Sequence, residues 1–269
     1  MVRSRFYRLT VASVAAFAAM ASPSRAGDSA LQAACFAKDA LAGREGERTP
    51  VRGNHKFDRD PLTRATLAAF TPVAAPLRGA IRRVDLPKGE KLIALTFDLC
   101  EQYGEVSGYD GGIFDYLRAE SVAATLFAGG KWMRSHPERT QQLMTDPLFE
   151  MANHSEAHRN LRLLDATAMQ NEILGPQRAY EAQRSQLLEM QCTRAHEAAL
   201  SSVPTRLAMF RFPYGACNAA SLNAVNDAGL LAIQWDLSSG DPDPRISVAA
   251  LADGMLKRVK SGSIIVMHA

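Results

Sequence analysis

Residues 92–104 read LIALTFDLCEQYG. A short, continuous apolar run of this kind suits a strand buried on both faces of a parallel sheet. It ends on Asp98, followed by Leu99, Cys100 and Glu101. An ionised carboxylate at the end of a buried strand is costly unless a partner there uses it. The rest of the chain repeats the pattern. SVAATLFAGG (121–130), LFEMANHS (148–155), LAMFRFPYG (207–215), LLAIQWDLSS (230–239) and SIIVMHA (263–269) each read as a strand with an exit loop. Between them, YDGGIFDYLRAE (109–120), PERTQQLMTDP (137–147), NAASLNAVNDAG (218–229) and ISVAALADGMLKRVKSG (246–262) read as helices. Residues 161–199 suit one or two helices with a break at Gly175–Pro176. Strand–helix alternation with apolar strands predicts an α/β fold with a parallel sheet, as a barrel or an open sheet.

In such folds the carboxyl ends of the strands share one face, and active sites sit there. The polar residues fall at those ends: Asp98, His154 and His158, Arg211, Asp236 and Asp241, and His268. His154 and His158 are spaced i, i+4, so one helical turn would aim both imidazoles at one cation. Two exposed histidines on a capped turn are the plainer alternative. His268 beside a carboxylate suits a general acid, and Asp98 suits a ligand or a base toward bound water. Arg211 offers paired donors that fix a carboxylate. No GxGxxG follows the first strand and no GxxxxGK[ST] occurs, so a nucleotide site has no motif support.

The leading 26 residues carry arginines, an apolar stretch too short to span a bilayer, and SRA before Gly27. They read as a secretory leader cut near Ala26–Gly27, with an uncleaved anchor as the alternative. The four arginines of this leader, with no acidic residue beside them, account for the whole formal net charge of +3 and leave the rest one charge negative. The remainder is near neutral, which gives no support for nucleic-acid binding. No later run suits a transmembrane helix. Export favours disulfides among Cys35, Cys100, Cys192 and Cys217, in a pairing that sequence alone does not choose, with buried free thiols as the alternative. Residues 27–88 include a helix expected over 29–43 and a charged stretch broken by Gly and Pro. They read as an extension packed on a catalytic domain of residues 89–269.

The motifs LTFDLCE, NHSEAH, RFPYG, WDLSSGD and IIVMH occur in the order seen in polysaccharide deacetylases. These are carbohydrate esterases that share a catalytic domain with the nodulation chitooligosaccharide deacetylases. The resemblance covers roughly residues 89–269, and it implies a distorted (β/α) barrel of roughly seven strands. It implies metal-dependent hydrolysis of N-acetyl, or sometimes O-acetyl, groups on a cell-wall or extracellular polysaccharide. The cofactor implied is a divalent metal, usually zinc, and the site of action is periplasmic or extracellular. By resemblance Asp98 is the base, and His154 and His158 are metal ligands. Arg211 orients the base, Asp241 pairs with the acid, and His268 is the acid. Pro213 and Tyr214 line the oxyanion and substrate pocket, with a backbone N–H near Tyr214 as the donor.

Three features depart from the family pattern. A second aspartate, the third metal ligand, is replaced by Leu99. Glu101 reaching back, Asp98 itself, or no firmly held metal are the alternatives. Cys100 as a thiolate is chemically possible, with oxidation competing. Pro242 stands where the family often has tryptophan, and the sequence stops one residue after His268, where either truncation or cover of the gap by the N-terminal extension is expected. A catalytically impaired or metal-free carbohydrate-binding member, another amidohydrolase chemistry and a structural domain are the rival readings.

Overall fold

The computed structural model describes residues 30–62, 67 and 70–269, so the leader expected over 1–26 lies outside the described residues. In chain order the strands are β1 (Val51–Arg52), β2 (Ala80–Ile81), β3 (Ala94–Leu99), β4 (Glu105–Val106), β5 (Ala124–Ala128), β6 (Phe149–Asn153), β7 (Met209–Phe210), β8 (Leu231–Ile233), β9 (Leu237–Ser238) and β10 (Ile264–His268). The helices are α1 (Ala30–Cys35), α2 (Lys38–Leu41), α3 (Gly111–Ala119), α4 (Gly130–Ser135), α5 (Pro137–Thr145), α6 (Ala166–Glu189), α7 (Gln191–Ala195), α8 (Ala219–Asp227) and α9 (Val248–Arg258).

Eight strands form one sheet in the order β2-β8-β7-β6-β5-β3-β10-β9, and every pairing in it is parallel. Seven of these strands come from residues 89–269, and the eighth, β2, precedes them in the chain. β8 lies next to one edge and β9 forms the other, yet only residues 234–236 separate them in the chain. Four residue steps reach about 14 Å at most. That short link curls the sheet toward closure without pairing its edges. The result is the incompletely closed, distorted barrel that the sequence predicts.

The central strands are apolar because both faces are covered. Leu126, Phe127 and Ala128 on β5 and Leu99 on β3 are fully buried. One cluster joins β3, β5 and β6 to α3–α6 through Phe97, Phe114, Trp132, Leu143 and Tyr180. A second joins β7 and β8 to α6 and α8 through Phe210, Phe212, Ile173 and Val225.

Several expected elements differ in detail. The first strand runs from Ala94 rather than Leu92, and Leu92 and Ile93 are exposed. The stretch 230–239 is split between β8 and β9, because its two halves join opposite regions of the sheet. The break expected at Gly175–Pro176 is absent, and α6 runs through both residues. Tertiary packing overrides the proline there. A Cβ on Gly130 would stand 3.0 Å from the Pro176 nitrogen, and one on Gly175 would meet the Glu156 side chain. The helix expected over 29–43 is divided into α1 and α2. One disulfide, Cys35–Cys192, ties α1 to α7, while Cys100 and Cys217 are free.

Candidate active site

Asp98 lies at the carboxyl end of β3, directly beside His268 on β10 in the parallel register. Its side chain is 4% exposed and sits against Arg211, which is fully buried. The Arg211 guanidinium donates to Asp98 Oδ1 at 2.8 Å and to Thr96 Oγ1 at 2.7 Å. It also donates to the carbonyls of Ile233 and Gln234 and lies 3.9 Å over the Phe127 ring. Arg211 is thus fixed on all sides before it meets the carboxylate. The second Asp98 oxygen, Oδ2, faces His154 Nε2 at 3.6 Å.

His154 and His158 follow β6, but the segment between them is a loop rather than the expected helical turn. Ser155 and His158 have φ of 66° and 55°, in the left-handed region. Side chains stabilise that path. Asn153 Oδ1 accepts from the Ser155 N–H, and Ser155 Oγ accepts from the His158 N–H. The rings still converge, with centroids 5.0 Å apart. The His154 Nδ1–H donates to the Arg211 carbonyl at 3.0 Å. That bond fixes the tautomer and leaves the Nε2 lone pair free. Burial lowers the pKa of His154 despite the pull of Asp98, and it pushes His158 down to about 3. Both rings are therefore neutral and fit to coordinate. Among the described residues, His154 Nε2 and His158 Nδ1 are buried without a hydrogen-bond partner.

Cys100 supplies the third donor. One ligand atom from each of Cys100, His154 and His158 lies within 4.8 Å of the others. Leu99 points into the core, fully buried. Alternation along the strand places Asp98 and Cys100 on the face opposite Leu99. Burial and the Asp98 charge push the Cys100 thiol well above its usual pKa. A cation held there would reverse that by stabilising the Cys100 thiolate. Glu101 does not reach back toward the histidines. Its fully buried carboxylate accepts from Ser135 Oγ at 2.6 Å and the Ser107 N–H at 3.1 Å, and pairs with Lys131 at 3.2 Å. The signal for Cys100 was its place two residues beyond Asp98. Cys35 bridges Cys192, and Cys100 stays a free thiol.

The donor set fits a catalytic zinc-type centre: one sulfur and two imidazoles, with a position left for substrate or water. The two orphaned buried ring nitrogens are the observation that carries this fit.

His268 stands across the rim. Its backbone N–H donates to Asp241 Oδ2 at 2.8 Å, and Nδ1 lies 3.1 Å from the same oxygen. Burial opposes the charged ring, but the Asp241 hydrogen bond and charge, with the Asp98 charge, outweigh it and raise the His268 pKa. Asp241 is lowered, because its bonds to His268 and Ser239 outweigh its own burial. Tyr214 is 61% exposed, and its ring meets His158 edge-on at 4.6 Å. Its φ is 59°, within a turn entered through buried Pro213. Gly215 follows at φ 64°, where a Cβ would stand 2.9 Å from Trp235. Trp235 therefore packs beside the site, its ring 5.6 Å from the Arg211 guanidinium. Asp236 is bound to Ser263 and the Ile264 N–H at the start of β10.

A half-barrel with a Cys/His/His cluster, a buried Asp–Arg pair and a His–Asp pair on one rim defines a metal-dependent hydrolase. The chain belongs to the polysaccharide deacetylase family, whose model matches residues 85–233. It is 27% identical over 179 residues to a chitooligosaccharide deacetylase of Rhizobium leguminosarum bv. trifolii, covering 66% of this chain and 72% of that protein. It is 26% identical over 188 residues to a peptidoglycan-N-acetylglucosamine deacetylase of Bacillus cereus, covering 68% and 75%. In fold it is similar to a CE4 family pseudoenzyme from Bacillus anthracis, with TM-score 0.56 and 18% identity, covering 71% of this chain and 58% of that one. Peptidoglycan deacetylase PdaC of Bacillus subtilis is similar at TM-score 0.52 and 22% identity, covering 68% and 77%.

Proposed function

We propose that this chain removes N-acetyl groups from a cell-wall or extracellular polysaccharide, with zinc held by Cys100, His154 and His158. Residues 89–269 are the catalytic domain in this reading, and residues 27–88 are an extension packed on it. The chain acts outside the cytoplasm after loss of its leader. The observation that carries the reading is the grouping of three distinct devices at the strand ends: the Cys/His/His cluster, Asp98 with Arg211, and His268 with Asp241. The relatives named for chitooligosaccharides and peptidoglycan N-acetylglucosamine support an N-acetylated sugar as substrate.

A divalent cation there would polarise the acetyl carbonyl and lower the pKa of a bound water. Asp98 takes the proton from the attacking water, held in place by Arg211. The Tyr214 backbone N–H supplies a donor to the oxygen that gains charge. His268, kept protonated by Asp241, gives its proton to the sugar nitrogen as the C–N bond breaks. Acetate and a free amino sugar leave. The inactive-scaffold alternative rested on Leu99, and Cys100 removes that support by offering a donor from the neighbouring position.

The test is a panel of N- and O-acetylated glycans scored for released acetate, with and without a chelator. Chelator-sensitive release is expected, greatest on an N-acetylglucosamine polymer, and His154→Ala should abolish it. Unchanged turnover in that variant would exclude the metal assignment.

A further inference from the structure

We propose that Lys131 is a positioning residue that locks the two ligand-bearing loops together, setting Cys100 in place for the metal. The inference rests on the Cys/His/His reading of the site. Lys131 belongs to α4 and is fully buried. A buried ammonium requires charged and polar partners for each of its protons. Nearly all of its partners lie on the segment that follows Cys100. Lys131 Nζ is 3.2 Å from Glu101 Oε1 and donates to the Gln102 carbonyl at 2.8 Å and to the Glu105 carbonyl. Its other partner is Asp58 of the N-terminal extension, at 3.1 Å. Asp58 in turn accepts from the Gly104 N–H at 2.9 Å, inside the same loop.

The backbone of the same turn holds the histidine loop. The Gly130 N–H donates to the Ser155 carbonyl at 3.0 Å, and the Lys131 N–H donates to the Glu156 carbonyl at 2.9 Å. Ser155 and Glu156 lie between the two histidine ligands. One residue earlier, the Gly129 N–H donates to the Leu99 carbonyl at 3.1 Å. Residues 129–131 therefore hold the backbone on one side of Cys100 and between His154 and His158. The Lys131 side chain fixes the other side of Cys100. Glu101, which resembled a ligand in the sequence, serves instead as an anchor for this ammonium.

The test uses the whole protein, stripped of metal and reloaded. Zinc affinity is measured by chelator competition, and cobalt(II) loading reports on sulfur through the thiolate charge-transfer band in the near ultraviolet. The wild type should show that band, and Cys100→Ala should lack it. Lys131→Met should weaken zinc binding about 10–100-fold, as loss of an outer-shell partner does, and should diminish the band. Because Lys131→Met leaves Glu101 unpaired, a double variant with Glu101→Gln removes both charges and should give the same two changes in a folded protein. Wild-type affinity with an undiminished band in either folded variant would overturn the positioning role. A wild type without any thiolate band would overturn the Cys/His/His site, and the inference with it.

Discussion

Replacing Arg211 by methionine tests how Asp98 is held. The guanidinium is fully buried, and its partner Asp98 is 4% exposed. The contact is 2.8 Å between Nη1 and Oδ1. At that distance and an effective dielectric of 20, the Coulomb attraction is about 6 kcal/mol, an upper bound before desolvation. Methionine keeps much of the volume but strands the carboxylate and three acceptors: Thr96 Oγ1 and the Ile233 and Gln234 carbonyls. Loss of one partner of a buried pair costs about 3–5 kcal/mol. For a domain of this size that lowers Tm by about 6–20 °C. The assay is urea unfolding of Arg211→Met and of Arg211→Met with Asp98→Asn, read by midpoint at constant slope. The double variant, with no stranded charge, should recover more than half of the loss. Acetate release by the single variant should fall about 10²–10⁴-fold, the range for a displaced general base. A single variant within about 1 kcal/mol of wild type, or a double variant no more stable than the single, would refute this reasoning.

Other outcomes follow from the same geometry. His268 must be protonated to act as acid, so kcat/KM should fall as pH rises through its raised pKa. Asp241→Asn removes the charge that raises it and should move that alkaline limb to lower pH, and an unmoved limb would count against the pair. Cys35–Cys192 closes a loop across a sequence separation of 157. Replacing both cysteines by serine should cost about 2–5 kcal/mol, and calorimetry with and without reductant checks it through an equal fall in Tm. A Tm indifferent to reductant would contradict a structural role for the bridge.

The fold was legible because β3, β5, β6 and β10 are apolar runs whose burial on both faces leaves little choice of structure. β7 and β9 have two residues each and leave almost no period to read. The β8–β9 link was read as one strand, since nothing local tells that its ends join different neighbours. Within the site, the order of the motifs pointed to Asp98, His154, His158, Arg211, Asp241 and His268, and the curled sheet brings all of them to one rim. Cys100 was underrated because its fate depended on which cysteines pair, a long-range question. Glu101 was overrated because the ammonium that binds it lies 30 positions away, on an apolar strand's exit turn. Side-chain partners of that separation are written in no local pattern.

The most direct measurement is acetate released from an N-acetylglucosamine oligomer as zinc is titrated into the metal-stripped protein. Release should rise linearly, break at one zinc per chain, and lose that break in Cys100→Ala. Equal release by the metal-stripped protein, or one bound zinc per chain with no acetate formed, would contradict a Cys100–His154–His158 metal centre that drives deacetylation.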